Sequence, residues 1–194
     1  MLTKDELINC IEGCKHNKRA YQNKMYVAFY DYAMSICFKY GNDKEDAVEI
    51  INDGFLKIFK EIYNYKPLSE DIAFGFTSWL RRIMINTAID HYRKNKHNAN
   101  FKDLSDEQEN ATTNYEQDVL ANLAYNELIK VVQELSPAYR MVFNLYAIEG
   151  MTHKEVGKHL NITEGTSKSN FAKARAFLQN RLMQKPNKKE LNAY

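Results

Sequence analysis

A chain of 194 residues is long enough for one large or two small domains, and 44% hydrophobic with 12% aromatic content supports packed cores and excludes a disordered polymer. The net charge of +2 excludes a uniformly basic chain, but it is uneven: Pro137 to Tyr194 carries ten Lys or Arg against four Glu, a balance of +6. No apolar run approaches a membrane span, Met1 to Glu6 does not resemble a signal peptide, and Cys10, Cys14 and Cys37 make no C-x-x-C pair, so a soluble protein of the reducing cytoplasm is expected.

Three Pro, seven Gly and few β-branched runs leave weak strand signals, and the expected fold is all-α. Thr3 and Glu6 predict a capping box before a first helix whose inward face is Leu7, Cys10, Ile11 and Cys14. Cys10, Cys14 and His16 could be considered as metal ligands, but no fourth ligand is nearby and cysteine readily fills buried helix positions. A second helix carries Tyr21, Met25, Phe29, Tyr32, Ile36 and Tyr40 at helical spacing and ends at Gly41.

Asp43 caps a third helix to about Tyr63, with Ala47, Ile50, Ile51, Ile58 and Ile62 inward and Glu49, Asn52, Asp53 and Lys57 on the surface. Phe55, Leu56 and Phe59 widen its apolar arc, which marks either a central helix or one that meets a partner. After a loop containing Pro67, a fourth helix spans about Ile72 to Lys96. Phe76, Trp79, Leu80, Ile83 and Thr87 share its core face. Arg82, Asn86, Ile89 and Arg93 form a second stripe, with Arg81, Lys94 and Lys96 nearby. Its cations can hold phosphates while Asn86 reads a base edge; a solvated basic face is the plain alternative.

Residues 98–118 set Lys102 against Asp103, Asp106, Glu107, Glu109, Glu116 and Asp118, a balance of −5, and predict a flexible acidic linker. The domains expected are therefore 1–97, the linker 98–118, a second helical unit 119–184 and a frayed tail 185–194. The second unit opens with a helix from about Tyr115 to Glu134, with Leu120, Leu123, Leu128, Val131 and Val132 inward. Ser136 and Pro137 start the next helix, which Gly150 ends.

Thr152 and Glu155 box a short helix to Leu160, Asn161 and Ile162 turn the chain, and Thr163 caps a last helix. Ser167, Phe171, Ala174 and Leu178 fall on the buried stripe of that helix. Gly165, Thr166, Lys168, Ser169, Asn170, Lys173 and Arg175 lie on its other sides, small and cationic as a groove requires. The pair predicts a helix-turn-helix with its second member in the major groove, against the alternative of an ordinary helical hairpin.

Phe76-Thr77-Ser78-Trp79-Leu80-Arg81-Arg82-Ile83, with Asn86, Ala88-Ile89-Asp90 and Arg93, resembles region two of bacterial RNA polymerase sigma factors. Leu135-Ser136-Pro137, Tyr139-Arg140, Val142-Phe143, Glu149-Gly150-Met151-Thr152, Glu155-Val156 and Ile162 to Arg175 resemble region four. The stretch from Ala47 to Phe59 is similar to the polymerase-binding helix of that family. Two regions and a short linker resemble the extracytoplasmic-function (ECF) group of the sigma-70 family.

The resemblance implies a transcription initiation factor with core RNA polymerase, promoter DNA and an anti-sigma factor as partners, located with polymerase at the nucleoid. It implies polymerase contact through Glu49, Asn52, Asp53, Leu56 and Lys57. Recognition and melting of the proximal promoter element would fall to Arg81, Arg82, Asn86, Ile89, Asp90, Arg93 and the Asn64 to Gly75 loop. The distal element would be read by Gly165, Thr166, Lys168, Ser169, Asn170, Lys173 and Arg175. The acidic linker is similar in place to segments that enter the RNA path.

Asn52 stands where the family usually has Gln, Val48 where an acidic residue is common, and Ser167 and Asn170 where Val and Arg are frequent. The first pair bears on polymerase contact, the second on promoter sequence. No G-x-x-x-x-G-K-[ST], H-E-x-x-H or G-x-S-x-G occurs, and the five His form no ligand spacing, so no enzyme, cofactor or metal is expected. The alternatives are a stand-alone helix-turn-helix regulator and a sigma-like polymerase-binding protein without promoter activity.

Overall fold

The computed structural model describes residues 2–67, 70–99 and 128–184, with the side chains of 97–99 and 184 left aside. The expected linker from residue 100 onward, Leu120, Leu123 and the tail beyond residue 184 lie outside the described residues, as do Leu68 and Ser69 in the loop before the fourth helix. The described residues are helical, with no strand among them. The chain divides into two compact units, Met1–Thr113 and Asn114–Tyr194.

The first unit is built from four helices, α1 (Lys4–Lys15), α2 (Arg19–Cys37), α3 (Lys44–Glu61) and α4 (Ile72–Ala99). Thr3 and Glu6 form the expected reciprocal box at the start of α1. Asp43 starts α3 by accepting the Asp46 N–H at 2.7 Å. The second helix ends earlier than Gly41, at Cys37, and the chain turns through Phe38 to Tyr40. The third runs on as a 3-10 turn, Ile62–Asn64, before Tyr65 turns extended ahead of Pro67.

Helix α3 packs on both α2 and α4, so its interior arc is wide. Ala47, Ile50, Ile51, Phe55 and Ile58 are all buried. Each large side chain so buried contributes on the order of 2 kcal/mol. Rings knit the helices together: Phe29 meets Phe76 at 5.1 Å and Tyr26 meets Phe55 at 4.7 Å between centroids. Gly54 leaves room for the Met84 side chain of α4, because a Cβ there would lie 2.4 Å from the Met84 sulfur.

The second unit holds a helical stretch at residues 128–133 (α5), α6 (Pro137–Phe143), α7 (His153–Leu160) and α8 (Glu164–Gln184). Val131, Val132 and Leu135 pack on Ala174 and Leu178 of α8. Leu128, expected inward, is 43% exposed. Helix α6 passes into a π-turn, Asn144–Ile148, and stops at Gly150, whose φ of +72° is one that glycine adopts without strain. Pro137 occupies the first turn of α6, and Ser136 precedes it without a side-chain cap bond. Helix α8 runs to Gln184, up to the expected start of the tail at residue 185.

Candidate nucleic-acid and partner interfaces

The turn between α7 and α8 is set by backbone. Asn161 takes the left-handed conformation, φ 52° and ψ 49°, and its successor Ile162 donates its N–H to the Gly157 carbonyl at 3.0 Å. A Cβ on Gly157 would sit 2.8 Å from the Ile162 oxygen, so a side chain there would push the two helices apart. Thr152 and Glu155 box the start of α7, and hydrogen bonds from the Thr152 N–H and hydroxyl hold the Glu155 carboxyl below its ordinary range. Thr163 caps α8 by accepting the Thr166 N–H at 3.0 Å.

Along α8 the expected stripe is found: Ser167, Ala174 and Leu178 are buried and Phe171 half-buried. Gly165, Thr166, Lys168, Ser169, Lys173 and Arg175 are exposed, and Asn170 is half-buried. Nothing in the fold requires glycine at 165, since an added Cβ would meet only the Thr163 hydroxyl, at 3.7 Å. Lys168 pairs with Glu164 one turn back at 2.7 Å, which holds the Glu164 carboxyl below its ordinary range. The Lys173 ammonium lies 5.8 Å from the Tyr139 ring centroid.

A contact invisible in the sequence ties α7 to α8. His153 Nδ1 lies 3.0 Å from the buried Ser167 hydroxyl, and the imidazole stacks on Tyr146 at 4.0 Å with its ring 8° from parallel. Ser167, where the resemblance expects Val, thus has a polar partner; that pairing compensates its burial.

On α4, Arg82 and Asn86 are exposed and Arg81 and Arg93 half-buried. Ile89 does not join them. It is 1% exposed and belongs to the core, because α4 lies against both α2 and α3 and its buried arc takes in Ala88 and Ile89 as well as Phe76, Leu80 and Ile83. Asp90 is exposed but engaged: its Oδ2 accepts from Lys57 Nζ at 2.8 Å and its Oδ1 lies 3.7 Å from Arg93 Nη1. Asp90 therefore orients cations and does not present a free carboxylate. Beside this helix Trp79 is half-buried and packs against Tyr65, 4.8 Å between centroids, and Phe76.

On α3, Glu49, Asn52, Asp53 and Leu56 are exposed and Lys57 is half-buried. Leu56, at 68% exposure, is an apolar side chain left in water by this unit. Asn52 Oδ1 accepts from the Tyr26 hydroxyl at 2.9 Å, which fixes the amide at the rim of a shallow groove lined also by Val48, Glu49 and Asp53.

The cysteines give no comparable site. All three are free and buried, and Cys10 donates to the Tyr21 carbonyl. Burial pushes the Cys37 thiol up to about 12, and the side-chain hydrogen bond with Cys10, followed by burial, raises Cys14. His16 is exposed while Cys10 and Cys14 are interior, so the three do not converge. No described helix is long and apolar enough to cross a membrane.

Comparison with known proteins places two family regions on the chain in order. Residues 25–98 match sigma-70 region 2, and residues 125–178 match sigma-70 region 4. The ECF RNA polymerase sigma factor SigW of Bacillus subtilis is 26% identical over 172 residues, covering 84% of each chain. The ECF RNA polymerase sigma factor SigE of Mycolicibacterium smegmatis is 24% identical over 155 residues, covering 78% of this chain and 58% of its own length. Among solved structures, the sigma factor RpoE in complex with the anti-sigma factor NepR from Bartonella quintana matches with a TM-score of 0.50 at 18% identity, covering 84% of this chain and 98% of that one.

Proposed function

Because the chain belongs to the sigma-70 family, in its ECF group, we propose that it is an RNA polymerase sigma factor: it binds core polymerase and directs initiation at promoters read by its two units. The observation that carries this reading is the presence of region 2 and region 4 in order on one chain. A stand-alone regulator would need only the second.

The division of labour follows from the exposed chemistry. Residues 1–97 form the polymerase-binding and proximal-element domain, 119–184 the distal-element domain, and 98–118 an acidic connector. Polymerase meets the α3 surface of Glu49, Asn52, Asp53 and Leu56, where an exposed leucine beside a fixed amide gives an apolar anchor with a polar rim. Arg81, Arg82 and Arg93 hold phosphates of the proximal element and Asn86 contacts a base; Asp90 and Lys57 position these groups. Helix α8 enters the major groove through Gly165, Thr166, Ser169 and Asn170, with Lys168, Lys173 and Arg175 on the phosphates. Absence of a side chain at 165 lets the helix backbone come close. Such a protein works with polymerase at the nucleoid, and an anti-sigma partner would cover the same surfaces.

Purified core polymerase with and without this chain, in run-off transcription over genomic promoter fragments, tests the reading. Starts at discrete sites only when the chain is added are expected, and they supply its promoter motif. Core binding without any start would make it a polymerase-binding mimic. Absence of both core binding and starts would overturn the proposal.

A further inference from the structure

Two carboxylates and an imidazole converge where α3 faces α4, away from the exposed stripe of α4. His91 Nε2 lies 3.5 Å from Glu49 Oε2 and 4.0 Å from Asp46 Oδ1, and one ligand atom from each residue lies within 4.8 Å of the others. We propose that Asp46, Glu49 and His91 form a binding site for a divalent transition-metal ion of the zinc and cobalt kind.

Three observations support a metal over a plain ion pair. First, the His91 side chain is only 8% exposed, and its Nε2 points at the carboxylates over distances too long for well-formed hydrogen bonds. Ligand bonds of about 2.0–2.2 Å at tetrahedral angles put neighbouring ligand atoms about 3.3 Å apart, a spacing that the Glu49–His91 pair nearly has.

Second, the other atoms of two ligands are already occupied by neighbours. Asp46 Oδ2 accepts from the Asn42 backbone N–H at 3.0 Å and from its side-chain amide at 2.7 Å, which leaves Oδ1 turned to the imidazole. His91 Nδ1 lies 3.4 Å from the Asn95 side-chain amide. The amide nitrogen faces the ring in the structure; turning that exposed amide over brings its oxygen to Nδ1–H and leaves the Nε2 lone pair for an ion, the orientation that metal-bound histidines take from their neighbours.

Third, one side of the site is open. The Glu49 side chain is 54% exposed and free to move inward; with a shift of about an ångström shared with Asp46 the three atoms, now within 4.8 Å of one another, close around an ion, and water can complete the coordination sphere. Oxygen and imidazole ligands without thiolate suit zinc or cobalt better than a copper(I) ion. An ion held here would draw the Glu49 carboxylate inward from the surface proposed above to meet polymerase.

The sequence expectation of no metal rested on spacing along the chain, and these ligands come from helices distant in sequence. The test is a cobalt(II) titration of the full chain, read by visible absorption, with zinc(II) as competitor. One equivalent is expected to bind with d–d bands and no thiolate charge-transfer band. His91→Gln and Glu49→Gln are each expected to weaken binding by about tenfold or more. Glu49 is largely at the surface, so its variant tests the site even if the His91 variant fails to keep its helical circular dichroism. Absence of saturable binding up to millimolar metal, a thiolate band from the cysteines, or unchanged affinity in a folded Glu49→Gln protein would each overturn the proposal.

Discussion

Arg82 and Ile89 sit on one expected stripe of α4 yet belong to different physics, since one is exposed and the other is 1% exposed. Arg82→Ala is expected to weaken promoter opening and to reduce its salt dependence, because a lost phosphate contact releases fewer counterions; abortive-initiation assays across a salt series check this. Ile89→Ala is instead expected to cost about 2–5 kcal/mol of unfolding free energy, measured by denaturant titration, with the salt slope intact. The capping box at Thr3 gives a pH-dependent case. A hydrogen bond from the Thr3 backbone N–H, helped by Lys24, holds the Glu6 carboxyl down at about 2 from an ordinary 4.5. A depressed folded-state value stabilises above the unfolded value and fades as pH falls through the folded one. The stability gap between the natural chain and Glu6→Gln is therefore expected to shrink between about pH 4.5 and pH 2.

At the scale of elements, caps and stripes were legible because they are local. The boxes at Thr3 and Thr152 need residues three apart, and the Ser167, Ala174 and Leu178 stripe needs only helical period. What one helix receives from two neighbours was not legible. Period alone assigns α4 a single core face, and contact with both α2 and α3 widens it until Ile89 is enclosed. The same reason hid the Lys57–Asp90 pair, the His153–Ser167 contact and the Asp46–Glu49–His91 cluster, each formed between elements. The α7–α8 turn supplies a test. Gly157→Ala forces a Cβ against the Ile162 carbonyl and is expected to cost about 1–3 kcal/mol, read from thermal unfolding. Binding to the distal element is expected to fall with it, because the recognition helix is tilted.

For the whole molecule, the order of motifs made the class legible, while the balance of charge gave the direction of the DNA-facing module. With a net charge of only +2 and its excess of cations in the second unit, the free protein is expected to bind DNA weakly. Promoter affinity measured by fluorescence anisotropy is expected to be weak for the chain alone and at least about a hundredfold tighter in the holoenzyme, where two units act at high effective concentration. Equal affinity with and without polymerase would contradict this. The carboxylate of Asp90 has a consequence in the genetics of the protein. It serves Lys57 on one helix and Arg93 on its own, so the surfaces proposed above for polymerase and for DNA on the first unit would not drift independently. A charge reversal at Lys57 leaves Asp90 repelled on one side and more tightly held by Arg93 on the other. Selection for suppressors of a defect in polymerase docking would then recover changes at position 90, and those survivors would carry altered promoter preferences as a by-product.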